Sequence, residues 1–183
     1  MIEPQQGVLL ISDPFLLDLN FSRTVILICE HNEEGTIGFV INRKYEIPIS
    51  QLIPELKNIS IPLFYGGPVQ MDVLHFLHQH PDKIPGGIEI ANGIYWGGDF
   101  EILVNLIIKQ LIDTNSIRLF IGYSGWSSGQ LNEEINEKSW LCLESSQALI
   151  FQKKQDDIWK EALKQMGKKY EYLINSPLDP QLN

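Results

Sequence analysis

Ten residues in the second half of the chain constrain its fold most. The segment from Gly122 to Leu131 carries three glycines and two aromatic residues, between an apolar run and the start of an acidic helix. Glycine loses more backbone entropy on folding than any other residue and contributes no side-chain packing. Three glycines so close together, directly after a predicted strand, indicate a backbone path that few other residues can adopt.

The composition is typical of an ordinary globular protein. The chain has 183 residues, 44% of them hydrophobic and 20% charged, so we expect one domain over residues 1–183 with a normal apolar core. From about residue 175 the chain carries prolines and polar residues, and we expect this tail to fray.

Charge and hydropathy limit the possible partners. The formal net charge of −9 opposes a non-specific grip on nucleic acid or on an anionic membrane. No apolar run approaches the roughly 20 residues that span a bilayer, and residues 1–6 lack the basic and apolar parts of a signal peptide. We therefore expect a cytoplasmic protein that does not enter a membrane and does not bind nucleic acid directly.

Cys29 and Cys142 both lie inside apolar, strand-like segments. Buried free thiols are typical of such positions in a cytoplasmic protein, and we favour them over a disulfide. No CxxC motif or Cys/His spacing indicates a structural zinc site, and no motif predicts a cofactor.

Hydrophobic patterning predicts a hairpin in the first quarter of the chain. Residues 24–30 are β-branched and apolar on both faces, which indicates a central strand. A turn at residues 32–35 leads into a returning strand over residues 36–42, with a loop of four or five residues. Gly38, inside the second strand, predicts a bulge or a close backbone approach.

Shorter elements are expected elsewhere. The pattern favours strands at residues 7–12, 63–65, 117–123 and 140–143, and one or two more within 88–96. Residues 69–78 fit a strand or a helix equally well. Residues 49–56 predict a weak helix interrupted at Pro54, residues 130–136 a short helix, and residues 156–166 an amphipathic helix that Gly167 ends.

The clearest helix is predicted at residues 99–113. Asp99 is placed to cap its N-terminus. The polar residues form only a narrow stripe of Glu101, Asn105 and Lys109, so we expect this helix to be central and buried on most of its circumference.

Several longer motifs follow one another along almost the whole chain. They are GVLLISDP at residues 7–14, FSRTV at 21–25, EHN at 30–32 with Gly35, Gly38 and Asn42, GGPV at 66–69, and GYSGWSSGQL at 122–131 followed by Glu134 and Trp140. Together these motifs resemble those of the YqgE/AlgH family of small bacterial proteins. Lys44 and Asn132 depart from the family's usual proline and glutamate, and neither departure disturbs the pattern.

The resemblance implies a fold but not a reaction. It implies an α+β protein in which helices surround a curved, barrel-like mixed β-sheet. Members of this family carry the label of transcriptional regulator, and that label has no established mechanism.

Gly125 to Gly129 matches G-x-S-x-G, the pattern of a nucleophile elbow between a strand and a helix. All four histidines precede Ser127, whereas the order in α/β-hydrolases places the histidine last. A capping box of Ser127 and Gln130 explains the same residues, and we favour it over a nucleophile.

His75, His78 and His80 are close enough in sequence to suggest a metal site. In a strand, His78 and His80 share one face and His75 lies on the other, whereas in a helix His75 and His78 share a face. Neither arrangement gathers all three, so we favour a histidine cluster without a metal.

Two further motifs have ordinary structural interpretations. Glu30-His31 would form a general base oriented by a carboxylate, but at the end of a strand His31 and Asn32 more often bind groups of the loop. The Gly66-Gly67-Pro68 turn lacks both the lysine of a P-loop and the third glycine of a dinucleotide-binding turn, so a tight turn is expected.

The incomplete catalytic set favours a non-enzymatic regulatory or interaction protein whose partner is another protein. Its candidate surface joins the glycine segment to the hairpin turn and comprises His31, Asn32, Gly66, Gly67, Gly122, Tyr123, Gly125, Trp126, Gly129, Gln130 and Glu134. One alternative is a small hydrolase or ligand-binding enzyme using His31 or Ser127. The other alternative is a regulator that binds DNA directly. The acidity of the chain and its lack of a helix-turn-helix pair disfavour this alternative. The oligomeric state stays open.

Overall fold

A strongly curved β-sheet is the frame of the protein. The computed structural model describes residues 2–16, 18, 20–151 and 154–176. Within these residues lie nine strands: β1 (Val8–Ser12), β2 (Val25–Asn32), β3 (Gly35–Val40), β4 (Leu63–Tyr65), β5 (Val69–His78), β6 (Ile88–Ala91), β7 (Ile94–Trp96), β8 (Ile117–Ser127) and β9 (Trp140–Glu144). Their order across the sheet is β6-β7-β5-β8-β3-β2-β1-β9, and β4 pairs with β8 outside this path.

The sheet is mixed and curls into a half-barrel. The named strand pairs are antiparallel except for β4, which runs parallel to β8. The β6–β7 end of the sheet lies close to the residues before β1 and after β9. Gln6 Nε2 donates to the Glu89 carbonyl at 3.0 Å, and Gln147 Nε2 donates to the Asn92 carbonyl at 2.7 Å. The expected α+β fold with a curved, barrel-like sheet is confirmed.

Helices cover the sheet. The described residues include α1 (Phe100–Ile108), α2 (Gln130–Asn136), α3 (Gln147–Ile150), α4 (Gln155–Gln165) and α5 (Glu171–Ile174). The largest apolar cluster joins Phe39 and Phe120 of the sheet to Ile158 and Trp159 of α4. Trp159 Nε1 also donates to the Ser12 carbonyl at 3.0 Å, which ties α4 to β1. Of the helices described, none is long and apolar enough to cross a bilayer.

The β2–β3 hairpin forms where the pattern predicted it, but the predicted loop length is wrong. The strands continue to Asn32 and resume at Gly35, which leaves two residues rather than four or five. Asn32 Oδ1 accepts the N–H groups of Glu34 and Gly35 at 2.8 and 3.2 Å. Because this side chain satisfies the turn's backbone donors, the hairpin closes without a longer loop.

Gly38 lies opposite a β-bulge, as its position predicted. The register between β2 and β3 shifts between Ile28 and Glu30, directly across from Gly38. A Cβ atom at Gly38 would lie 2.7 Å from Ile26 Cγ2 and 2.8 Å from the Leu27 carbonyl oxygen, so the close backbone approach is also present.

The helix expected at residues 99–113 is shorter and more exposed than predicted. Asp99 caps it as expected, accepting the Ile102 N–H at 2.9 Å. However, α1 ends at Ile108, and only Leu103 and Ile107 of its residues are buried.

Two features explain this error. Gln110 adopts a φ of 55°, and the Gln110 and Leu111 N–H groups bond the Ile107 and Leu106 carbonyls. This is a C-terminal motif that glycine usually makes, so the sequence carried no stop signal. Only one stripe of the helix, at Leu103 and Ile107, packs into the apolar core. The side chains of Phe100 and Ile108, and of Leu111 beyond the end of α1, are exposed.

The structure also decides the elements whose sequence patterns were short or ambiguous. Residues 69–78 form strand β5, and residues 88–96 form two strands. Residues 49–56 form two 3-10 helices, Ile49–Gln51 and Pro54–Leu56, and the second begins at the expected proline.

Cys29 and Cys142 are free thiols. Burial raises the pKa of both and brings that of Cys142 to about 11.

Most of the tail that was expected to fray, residues 177–183, lies outside the described residues. The Ser176 carbonyl, just before it, accepts a hydrogen bond from Arg23 Nη2.

Candidate functional site

Two glycine motifs far apart in sequence meet where the chain crosses its own sheet. The Gly66-Gly67 turn leaves β4, passes over β8 beside Gly122, and enters β5. A Cβ atom at Gly67 would overlap the backbone of Tyr123, and one at Gly122 would lie 2.5 Å from the Gly67 carbonyl oxygen. Because backbone packs directly on backbone, neither segment has room for a side chain at the crossing.

The glycine segment has the special backbone path that its sequence predicted, but not at all three positions. Gly122 has a φ of 67° and Gly129 a φ of 76°, left-handed values that glycine adopts without steric cost. Gly125 has no such strain. A Cβ atom there would meet side chains only, at 3.2 Å from the Tyr123 ring and 3.8 Å from Val69 Cγ2. Gly125 therefore does not allow a turn. Without a side chain it leaves space beside the Tyr123 ring, which would have to shift slightly to admit a Cβ atom.

A cleft of about 300 Å³ occupies that space. Its lining includes residues of the β2–β3 hairpin turn together with Val69, Tyr123 and Gly125. Ile37 pairs with Glu30 on one side and with Gly125 on the other, so these three positions form a row across the sheet and share one face. We call this depression the hairpin cleft. It unites the hairpin turn and the glycine segment.

His31 lies on the opposite face from the hairpin cleft. It pairs with Thr36, and its Nδ1 atom lies 2.7 Å from Thr36 Oγ1. The neighbouring Glu30 lies on the cleft face, where it accepts a hydrogen bond from Asn32 Nδ2 at 2.7 Å. Consecutive strand residues point to opposite faces, so Glu30 does not orient His31. Of the two predicted turn residues, Asn32 lines the cleft and His31 does not.

The polar and aromatic side chains that follow Gly125 in the chain form one hydrogen-bond network around Glu134. Glu134 Oε2 accepts the indole N–H groups of Trp126 at 2.9 Å and Trp140 at 2.7 Å, and Glu134 Oε1 accepts Gln130 Nε2 at 3.0 Å. Both tryptophans are buried, and Phe21 packs against both rings. This network fastens α2 to β8 and β9. Gln130 and Glu134 thus hold in place Trp126, which itself lines the hairpin cleft.

The capping box predicted for Ser127 and Gln130 is wrong in its register. Ser127 is the last residue of β8, and the N-cap of α2 is Gly129, so Gln130 is the first helical residue. Gln130 Oε1 accepts the Ser127 N–H at 3.0 Å and its hydroxyl at 3.1 Å. Gln130 therefore reaches back as expected, but the Ser127 hydroxyl caps no helix donor because the left-handed Gly129 delays the helix start.

The three clustered histidines point to different surroundings. His78 is buried; its Nδ1 accepts the His80 N–H at 3.1 Å, which leaves the proton on Nε2, 3.0 Å from the Gly97 carbonyl oxygen. His80 Nε2 bonds Ser116 Oγ. His75 packs among Phe39, Trp96 and Tyr123, with its Nε2 atom buried and unbonded.

Their titration reflects burial. Desolvation lowers the pKa of all three histidines below the usual range. The described residues contain no group of three or more His, Cys, Asp or Glu side chains placed to hold one metal ion.

The sequence patterns did not predict several of the residues that line the cleft. Glu30, Glu34, Ile37 and Val69 line the hairpin cleft, and none was predicted as a site residue. The alternation of side chains along β2 and β3 assigns Glu30 and Ile37 to one face. That rule does not reveal which strand lies beside β3, and only the pairing of β3 with the end of β8 places them at the glycine segment.

A second, larger depression of about 450 Å³ lies beside Asp13 and Glu137. Its described lining contains none of the predicted site residues. The hairpin cleft is therefore the better supported candidate site.

The curled sheet, its flanking helices and the cleft at the end of the β2–β3 hairpin define a small α+β half-barrel protein with an open groove. The chain belongs to the AlgH-like family, whose model matches residues 9–171.

Relatives and solved structures agree with this assignment. A UPF0301 protein of Chlorobium limicola is 44% identical over 177 residues, which are 97% of this chain and 95% of the relative. Another, of Bacteroides thetaiotaomicron, is 41% identical over 181 residues, covering 98% and 92% of the two chains.

The solution structure of the AlgH protein from Pseudomonas aeruginosa matches with a TM-score of 0.73 at 25% identity, covering 97% of this chain and 98% of that one. A crystal structure of a Corynebacterium diphtheriae protein matches with a TM-score of 0.77 at 23% identity, over 94% and 92% of the two chains, and supports the fold alone. The names of these proteins state no reaction or ligand.

Proposed function

We propose that this protein is a non-enzymatic regulatory protein that acts in the cytoplasm by binding another protein through the hairpin cleft. The observation that carries the proposal is the cleft itself, which forms where the hairpin turn meets Gly125. The two free thiols suit a reducing compartment.

The polar residues around the cleft support a binding role. Asn32 closes the hairpin turn, Gln130 and Glu134 hold α2 in place, and Thr36 binds His31. Side chains that already serve as mutual partners hold a surface rigid and ready for a docking partner. Gly125 contributes volume, since a side chain there would lie against Tyr123 and Val69, both of which line the cleft.

Gly125→Val tests the proposal directly. Valine adds three carbons beside the Tyr123 ring and narrows the cleft. The Tyr123 ring must shift slightly to admit the Cβ atom, and valine has a higher strand propensity than glycine, so we expect the variant to fold. Gly129→Asn is the matched control. It changes a glycine of the same segment that has no atom within 4 Å of its Cβ position and does not line the cleft, and asparagine tolerates the left-handed conformation.

The measurement is a cross-linked pull-down from an extract of the native cells, followed by reconstitution with the purified partner. We expect the same partner to bind the unaltered protein and Gly129→Asn, and binding to Gly125→Val to fall at least tenfold. Circular dichroism melting of each variant confirms that it is folded. Equal binding by Gly125→Val, or no specific partner at all, would refute the proposal.

The alternative is a small hydrolase or ligand-binding enzyme using His31 or Ser127. One observation favours it: Ser127 lies between a strand and a helix, the setting of a nucleophile elbow. The side chains bind elsewhere, however, with Ser127 on Gln130 and His31 on Thr36. A fluorophosphonate probe distinguishes the two functions, because labelling at Ser127 would establish a reactive serine.

We also propose that any effect on transcription is indirect. The net charge is −9, and the described lining of the cleft includes two glutamates and no lysine or arginine. A mobility-shift assay at low salt should therefore show no binding to duplex DNA; micromolar binding that weakens steeply with added salt would contradict this expectation.

A further inference from the structure

The end of β8 beside the hairpin cleft has a strand on one side only. On one edge, Gly35–Gly38 of β3 pairs with β8 from Ser127 back to Ser124. On the other edge, the pairing of β5 with β8 begins at Val69 and Tyr123 and runs toward Ile117. Within the described residues, no strand pairs with Gly125–Ser127 on this second edge.

The backbone of Gly125 faces this open edge. The Ser127 N–H donates to the Gln130 side chain, so Ser127 directs its backbone groups away from β3. In a strand, residues two apart direct their N–H and C=O groups to the same side. Gly125 therefore also directs its N–H and C=O toward the open edge, and it is solvent-exposed, with no side chain to shield these groups.

Such an edge is a template for a further strand. An unpaired strand edge recruits extended peptide through main-chain hydrogen bonds, and neighbouring pockets select its side chains. The open edge adjoins the hairpin cleft, since Gly125 belongs to both and the Val69–Tyr123 pair, at which the open edge begins, also lines the cleft.

The charge of the surroundings defines the peptide. Glu30 and Glu34 are exposed and line the cleft, and among its described lining residues there is neither lysine nor arginine. The lining also contains the apolar side chains of Ile37 and Val69 and the aromatic rings of Tyr123 and Trp126. An extended segment that alternates short side chains with lysine or arginine complements this surface.

We propose that the partner docks by adding an extended, lysine- or arginine-bearing segment as a short strand to the open edge of β8 at Gly125. This inference rests on the proposed function, because it specifies how a partner protein uses the hairpin cleft.

The test uses a ten-residue peptide of alternating threonine and lysine, titrated into the full chain labelled with 15N. Amide shifts detect even roughly millimolar binding. We expect the Gly125 amide resonance to shift and to show cross-strand contacts to the peptide backbone. The same sequence with every backbone amide N-methylated keeps its charge but has no N–H to donate, and it should leave Gly125 unchanged.

Variants of the protein test the charge separately. Replacing both cleft glutamates, Glu30→Gln with Glu34→Gln, should weaken binding of the lysine peptide roughly 2- to 30-fold, since each exposed ion pair contributes little. Glu133→Gln, on the exposed surface of α2 and outside the cleft, is the control and should not change the affinity. A peptide of alternating threonine and glutamate should not bind.

The inference fails if the lysine peptide does not perturb Gly125, if the N-methylated peptide binds equally well, or if the glutamate peptide binds as tightly. These results are separate from the pull-down. If Gly125→Val still abolishes capture of the partner while the peptides fail, the cleft binds a protein in another way and the proposed function stands.

Discussion

Removing the Glu134 carboxylate should destabilise the fold while leaving the hairpin cleft open. In Glu134→Ala, the Trp126 and Trp140 indole N–H groups lose the acceptor that they share. The two rings are only 6% and 2% exposed, so water cannot readily replace the carboxylate.

The structure sets the size of the effect. A hydrogen bond to a charged group contributes about 1.5–3 kcal/mol, and a buried donor left unsatisfied costs a similar amount. Two such donors lead to an expected loss of about 3–5 kcal/mol for Glu134→Ala, a large part of the stability of an ordinary domain. Glu134→Gln keeps the oxygen that the two indoles share but gives up the charge and the exposed acceptor for Gln130 Nε2, so its loss should be about 1–2 kcal/mol.

Urea denaturation followed by circular dichroism measures these differences. Glu133→Ala is the control, because it removes a neighbouring carboxylate that is exposed, and it should change stability by no more than about 0.5 kcal/mol. A loss below about 1 kcal/mol for Glu134→Ala, or no difference between Glu134→Ala and Glu133→Ala, would refute the role given to this carboxylate.

Two further predictions concern the crossing and the histidines. Gly67→Ala places a Cβ atom onto the Tyr123 backbone and should lower the free energy of unfolding by about 3 kcal/mol or more. Gly97→Ala, at a positive φ with no atom near its Cβ position, should lower it by about 1–2 kcal/mol. Equal midpoints in urea for the two variants would contradict this. Because burial lowers the pKa of His75, His78 and His80, the unfolded chain binds more protons below about pH 6.5. The contribution of these histidines to the free energy of unfolding should thus be fully present above that pH and fall as the solution is acidified. The fall should be less steep in His75→Phe. Urea midpoints that do not change between pH 7.5 and 5 would disprove this expectation.

Local patterns predicted most elements because buried residues recur along the sequence with the period of a strand or of a helix. The β2 and β3 strands, the cap at Asp99 and the helix at residues 130–136 were all readable in this way. The errors arose where a side chain or an unusual φ replaced the expected signal. Asn32 shortened the hairpin loop, Gln110 ended α1 in place of a glycine, and Gly129 moved the helix start past the predicted capping box.

The sequence by itself identified the glycine segment and the hairpin turn as the region to examine. Only the tertiary structure decided what each residue there does. It set Gly67 against Gly122, paired β3 with the end of β8, and directed Glu134 to two tryptophans from different strands. These are contacts between residues distant along the chain, and the energy that selects one strand register over another comes from all of the packed partners together. No short stretch of sequence contains that information, and so the cleft lining and the open edge of β8 emerged only from the assembled sheet.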